Sequence, residues 1–534
     1  MGLPLSRRFF LATSIGALTA LMASTALPRL GMAAGAGGRL VVAADSEPRQ
    51  LNPAIVASNG VFFIASKVIE PLAEAGYDGL SPRLATSWQG AEDGLSITFK
   101  LREGVKWHDG QPFTAEDVAF SAIEVWKPLQ NIGREVFANL DHVETPDALT
   151  AIFHFSKPTP MQLIENALPV VSSVLPKHIY AGSDIATNPA NAALIGTGPY
   201  TFAEYKPGQY YLLKKNADYW HQDQPLLDEI VFQILPDRAA AASSLEAGEV
   251  QLACFSAVPL SDLARIKEVS GLEVITKGYE DLTYQLIVEI NHRNPALKDV
   301  RVRQAIAHAI DRKFVLETVF LGYGALATGP IPATAKTFYT PDVTLYDFDI
   351  AKANALLDEA GLTKGADGIR LRLRLAPAPY FSETKQFGDY LRQALREIGI
   401  DATLIANDNA GHQKAVYTDH AFDLAIAPTV FRADPAISTT ILARSGIADG
   451  VPFSNQGGYI NPKLDEVIDT ALVTLDPAQR IALYQTFQKD VTADLPFINV
   501  VDWTFTSVAS TSLAPIANNP RWAVSSWADA ALSA

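Results

Sequence analysis

The stretch Asp299-Val-Arg-Val-Arg-Gln-Ala-Ile-Ala-His-Ala-Ile-Asp-Arg312 constrains the fold more than any other part of the chain. Val302, Ala305, Ile306, Ala309 and Ile310 recur at three- and four-residue steps, so one helix face is apolar. Arg301, Arg303, Gln304, His308 and Arg312 fall largely on the other face. Asp299 stands where a carboxylate caps the free N–H groups of a first turn. Such a helix must lie against a core. Asp349 to Ala360 reads as a second helix, stopped by Gly361, and Phe387 to Ile398 as a third, ending at Gly399. Leu95 to Leu101 and Ile369 to Leu375 alternate as half-buried strands do, and Asp401 to Ile405 reads as a further strand. Helices and strands intermix, which predicts α/β or α+β domains.

The N-terminus reads as an export leader. Arg7 and Arg8 precede an apolar run from Leu11 to Leu27, interrupted by Thr13, Ser14, Gly16 and Thr19. Paired arginines before a weakly apolar segment match a twin-arginine signal. Ala34-Gly35-Ala36 offers a small-residue cleavage site, so residues 1–36 are expected to be removed rather than to anchor the chain. The single cysteine, Cys254, is far from the leader, leaving no thiol for lipoprotein acylation and no partner for an internal disulfide. No later stretch approaches the roughly 20 apolar residues that cross a bilayer. The expected product is a soluble periplasmic protein, not a lipoprotein. A formal charge of −15 argues against nucleic acid and anionic lipid as partners. Arg370, Arg372 and Arg374 alternate on one strand face and read as solvated rather than as a polyanion site.

Catalytic signatures are missing. Gly-x-Ser-x-Gly, His-Glu-x-x-His and Gly-x-x-x-x-Gly-Lys-Ser/Thr do not occur. Gly196-Thr-Gly198 lacks the third glycine of a dinucleotide loop, and Pro199 removes a backbone donor. His412 and His420 suit no compact metal motif and read as surface residues; Trp88, Trp107 and Trp220 read as core. The expectation is no enzyme, no catalytic residue, no metal and no cofactor.

Longer blocks occur in a fixed order. Phe99 to Ser121 holds a strand end, a turn at Asp109-Gly110 and a helix opened by Thr114 with Asp117 three residues on. Leu51-Asn-Pro53, Gly196-Thr-Gly-Pro-Tyr200 and the block from Phe453-Ser-Asn455 through Gly458 to Ile468 complete the series. Together with the Asp299–Arg312 helix they resemble the extracytoplasmic solute-binding proteins of family 5, which feed peptide-, nickel- and opine-type ABC importers. The resemblance implies a bilobed, mixed α/β fold of the Venus-flytrap type. Lobe I would comprise residues 37–285 and 496–534, with a subdomain inserted at about 74–195, and lobe II residues 286–495. Extended hinge strands are expected near Tyr284 to Asn291 and Phe497 to Thr506. The implied function is capture of a peptide or other amino-acid-derived or polar organic solute by a monomer. Delivery would be to a permease and ATPase complex in the inner membrane. A sensory or chaperone-like binding protein on the same fold is the alternative, since both need only a closing cleft.

The family's di- and oligopeptide binders carry Trp-x-x-Asp shortly before an acidic-Pro pair, and the aspartate grips the peptide amine. Aligning Asp434-Pro435 with that pair places Pro428 at the tryptophan and Phe431 at the aspartate. Asp434 then reads as a structural loop residue more than an amine clamp. Phe431 would offer a stacking face. Arg432 would offer a fork for carboxylate or phosphate, or else pair with an acid at the cleft rim. Asn59, Tyr380 and Trp503 complete the candidate ligand set, each with lobe packing as its other reading.

Overall fold

The computed structural model describes residues 37–48 and 50–533. The leader, with Arg7 and Arg8, lies outside the described residues. The fold is bilobed and mixed α/β, organised by two large sheets and one smaller one. The first large sheet has the order Leu272–Ile275, Ser507–Ser510, Leu252–Ala253, Arg39–Ala44, Glu229–Ile234, Tyr210–Lys215, Tyr200–Lys206. The second has the order Gly324–Leu326, Phe497–Trp503, Thr283–Ile290, Leu424–Phe431, Leu371–Pro377, Ile400–Leu404. Between strands Arg39–Ala44 and Tyr200–Lys206, the chain builds an antiparallel sheet of Ala85–Gly90, Ser96–Leu101, Thr150–Phe155 and Leu140–Asp147.

The chain passes between the large sheets twice, from Ile275 to Thr283 and from Trp503 to Ser507. The strands expected to serve as hinges are instead built into the second sheet. Thr283–Ile290 is paired along both edges, with Leu424–Phe431 on one side and Phe497–Trp503 on the other. A strand bonded on both sides cannot absorb a large dihedral change. The connections between the sheets are therefore 276–282, just before the first predicted segment, and 504–506, the end of the second.

The signature helix forms over Val300–His308, and Asp299 accepts the Arg301 N–H at 2.9 Å. A second helix, Arg312–Thr318, starts behind its own aspartate cap, Asp311. Arg303, expected on the face opposite the apolar stripe, is only 3 % exposed. Its guanidinium donates to the carbonyls of Leu297, Lys298 and Asp494, and reaches the Asp494 carboxylate at 2.8 Å. It thus ties the turn before the helix to the C-terminal end of helix Pro477–Asp494. Arg370, Arg372 and Arg374 pair with Asp358, Asp367 and Asp423, a face of ion pairs. Gly196 and Gly198 are required by close approach, since a Cβ on Gly196 would lie 1.8 Å from the Val68 carbonyl oxygen. Trp107 is core, whereas Trp88 and Trp220 are half-buried.

Candidate ligand cleft

In both large sheets the parallel strands end at a shared interface. Arg39–Ala44 runs parallel to Glu229–Ile234, and Asp45 and Arg238 follow their carboxyl ends. Leu371–Pro377 runs parallel to Leu424–Phe431, and Tyr380 and Arg432 follow theirs. Ligand sites in α/β sheets form outside the carboxyl ends of strands. The two halves are in contact there. Asn59 Nδ2 donates to Tyr284 Oη at 3.1 Å. Arg238 pairs with the buried Glu383 at 3.1 Å. Asn166 donates to Asp434 at 3.1 Å, and Arg480 to Gln162 at 3.2 Å.

Asn59 opens helix Asn59–Ala65, whose cap is Ser58, accepting the Val61 N–H at 3.4 Å. Across the interface, burial pushes the Tyr284 phenol up to about 12, opposed by nearby Arg432 and reinforced by Asp45. Arg432 is half-buried. Burial and the neighbouring Arg521 guanidinium hold it down to about 10. Arg521, in the C-terminal segment, is 5 % exposed and is held down to about 10 by burial, with Asp281 and Glu74 opposing. Among the described residues, neither guanidinium has a carboxylate within ion-pair distance or a side-chain hydrogen bond. The rim pairing open to Arg432 on sequence grounds is therefore not made.

The other candidates are distributed differently. Asp434 is fully buried and forms a double ion pair with Arg480, at 2.7 and 2.8 Å, while also capping the Ala436 N–H. With the Asn166 amide also donating to it, its carboxylate is occupied by contacts within the protein. Phe431 does not present an open stacking face: its ring is 2 % exposed within the core, at the last strand position opposite Thr283. Trp503 is 1 % exposed among Tyr284, Phe320, Phe381 and Phe505, with its indole N–H unpartnered. Tyr380 is half-buried, its hydroxyl held by the Gln413 amide. His412 is not a surface residue: it is 1 % exposed, with both ring nitrogens unpartnered. Sequence reasoning missed Tyr284, Arg521, the Arg238–Glu383 pair and Glu289. Glu289 alone gave a signal, an acid inside the apolar run Leu286-Ile-Val-Glu-Ile290.

Two lobes joined by two short crossings, with unpaired charge at their interface, define a solute-binding protein that closes on its ligand. The chain belongs to the bacterial extracellular solute-binding proteins, family 5, whose model matches residues 79–446. It is 28 % identical over 475 residues to the dipeptide-binding protein of Escherichia coli (strain K12), covering 84 % of this chain and 86 % of that one. It is 26 % identical over 507 residues to the glutathione-binding protein GsiB of Escherichia coli O1:K1 / APEC, covering 91 % and 92 %. The crystal structure of the ABC transporter substrate-binding protein CtaP from Listeria monocytogenes superposes with a TM-score of 0.82. The two share 25 % identity over 94 % of this chain and all of that one. The protein is thus the substrate-binding component of an ABC importer. Among the described residues no helix is long and apolar enough to cross a membrane, and no group of His, Cys, Asp and Glu is arranged to hold a metal ion.

Proposed function

We propose that the cleft captures an organic solute bearing a carboxylate or another compact anion, held by Arg432 and Arg521 and enclosed by lobe closure over Asn59 and Tyr284. The observation that carries this reading is the pair of neighbouring desolvated guanidiniums, neither of them in an ion pair or a side-chain hydrogen bond, with Asp281 and Glu74 opposing burial at Arg521 alone. Placing two like charges together away from water is costly unless an anion joins them. A planar fork suits a carboxylate. The protein catalyses nothing, acts as a monomer in the periplasm without a lipid anchor, and hands its solute to a permease and ATPase complex. Lobe I runs to about the 276–282 joint and resumes after 504–506.

Phe431 replaces the amine-gripping aspartate, so ordinary zwitterionic dipeptides bind poorly. The test is mass spectrometry of solute retained by gently purified protein, followed by calorimetry with that solute, glutathione and a dipeptide panel. The retained solute is expected to be anionic, and Arg432→Ala to weaken it by about 2 kcal/mol or more. Submicromolar binding of several free-amine dipeptides, unaffected by Arg432→Ala, would overturn the reading. Export is checked separately: replacing Arg7 and Arg8 by lysine is expected to leave uncleaved precursor in the cytoplasm.

A further inference from the structure

A cluster of buried side chains on the second sheet carries polar atoms without hydrogen-bond partners. Glu289, on strand Thr283–Ile290, is 6 % exposed, and its Oε2 has no hydrogen-bond partner. Its neighbours across the two adjoining strands are Ala425 and Phe497, which offer no side-chain donor. Helix Asn409–Gln413 and the turn Lys414–Thr418 bring His412 and Tyr417, each 1 % exposed. Both nitrogens of His412 and the Tyr417 Oη are also unpartnered. The His412 ring lies 5.7 Å from that of Tyr380 and 6.4 Å from that of Tyr417. Phe453 adds a further wall, 6.5 Å from Tyr380 and 5.9 Å from Tyr417. Glu289 lies opposite Ala425, which packs with Val416 and Tyr417, so the acid and the Tyr417 ring share one face of the sheet; burial, with the nearby Glu289 carboxylate, raises both phenols.

Phe453 is the exposed member of the cluster. It is 44 % exposed and holds a φ of 58°, in the left-handed region that a bulky side chain rarely adopts. Strain of this kind persists where the surroundings impose it, and it clusters at ligand clamps.

The chemistry of the lining selects the guest. Buried acids are ordinarily paired. Glu289 has no cation beside it, and aromatic faces around a carboxylate attract an organic cation rather than a metal ion. A primary ammonium group has three donors. Glu289 Oε2, Tyr417 Oη and one nitrogen of neutral His412 are unpartnered atoms able to accept hydrogen bonds. A quaternary ammonium would leave all of them unpaired.

We infer that this cluster forms a subsite for a primary ammonium group, with Glu289 as counter-ion and Tyr380, His412, Tyr417 and Phe453 around it. The inference goes beyond the arginine reading and does not rest on it. It is compatible with weak dipeptide binding. Glu289 and Tyr284, beside which Arg432 lies, are separated by roughly 17 Å of extended strand. The amine and carboxylate of a dipeptide do not span that distance.

The test is thermal shift and calorimetric titration of the mature protein with n-butylammonium, using n-butanol and tetramethylammonium as controls. A guest this small is expected to bind at about millimolar concentration. n-Butylammonium should raise Tm, with both controls at least about tenfold weaker. Glu289→Gln should weaken the ammonium by about tenfold or more, and Tyr417→Phe by a smaller factor, each with native circular dichroism. Absence of n-butylammonium binding overturns the inference. So does n-butanol binding equally well, or titration unchanged in both variants. Because n-butylammonium carries no anion, its failure leaves the arginine reading standing.

Discussion

Arg432 and Glu289 meet the same physical problem, an ionisable side chain removed from water without a counter-charge, and it leaves a pH signature at Glu289. Burial alone pushes the Glu289 carboxyl up to about 8, from 4.5 in an unfolded chain. The groups facing it give no relief: Tyr380 and Tyr417 stay neutral, and burial holds His412 down to about 4. Below about pH 4 both states are protonated and Glu289 costs nothing. As pH rises the unfolded chain ionises first, so the native state loses stability through this window, and the loss is complete above about pH 8. Without solute, Glu289→Gln should match the wild type near about pH 4.5 and exceed it by about 2–4 kcal/mol at about pH 8.5. Denaturant unfolding at both values measures this. Asp434 makes the opposite case. Its ion pair with Arg480 is wholly buried, so Asp434→Ala strands a guanidinium and should cost about 3–5 kcal/mol. The double variant Asp434→Ala, Arg480→Met should recover much of that, because neither charge then remains. At this scale the sequence showed the Trp-x-x-Asp pattern to be missing, because that pattern is local, but it left Asp434 in the candidate ligand set. It could not place Phe431 in the core or bring Arg521 beside Arg432, since both depend on segments that meet only in three dimensions.

Periodicity made most elements legible. Helix Ile350–Glu359 lies inside the expected span, with Asp349 as its cap accepting the Lys352 N–H at 2.8 Å. Strands Ser96–Leu101 and Ile400–Leu404 fall within a residue of expectation. Helix Ser382–Glu397 begins earlier than expected, because its first turn includes polar residues, Ser382 and Glu383, that the apolar count passed over. The signature helix shows where pattern stops being informative. Its apolar stripe was readable, but a polar-face arginine is indistinguishable in sequence from its solvated neighbours. Only the arrival of Asp494 decides that Arg303 is buried. Arg303→Ala should therefore cost about 3 kcal/mol or more, by leaving the carbonyls of Leu297, Lys298 and Asp494 without their donor. Arg301→Ala, on the exposed side, should cost within about 1 kcal/mol. Paired thermal melts of the two variants check the contrast. The strand Thr283–Ile290 was misjudged as a hinge for a related reason: its apolar run is equally consistent with a bridging segment and with a central strand.

Across the whole molecule, function depends on a balance between open and closed lobes, and the contacts that set it are few. Asn59–Tyr284, Arg238–Glu383, Asn166–Asp434 and Gln162–Arg480 bridge the halves. Of these, Arg238–Glu383 is an ion pair with a buried acid, Glu383 being 4 % exposed. A charge-assisted hydrogen bond of this kind contributes about 1.5–3 kcal/mol. Removing it lowers the closed population, and apparent affinity falls in proportion to the competent fraction. Glu383→Gln keeps the shape of the side chain while discarding its charge. It should weaken the retained solute about tenfold, equivalent to about 1.4 kcal/mol. It should also enlarge the radius of gyration of the solute-free protein, with excess solute restoring the wild-type value. Small-angle scattering and calorimetry on the same samples separate the effects. A loss of affinity with unchanged scattering would make Glu383 a direct ligand contact. Unchanged affinity and unchanged scattering together would mean that this pair does not govern closure, leaving Asn59–Tyr284, Asn166–Asp434 and Gln162–Arg480 to hold the lobes together.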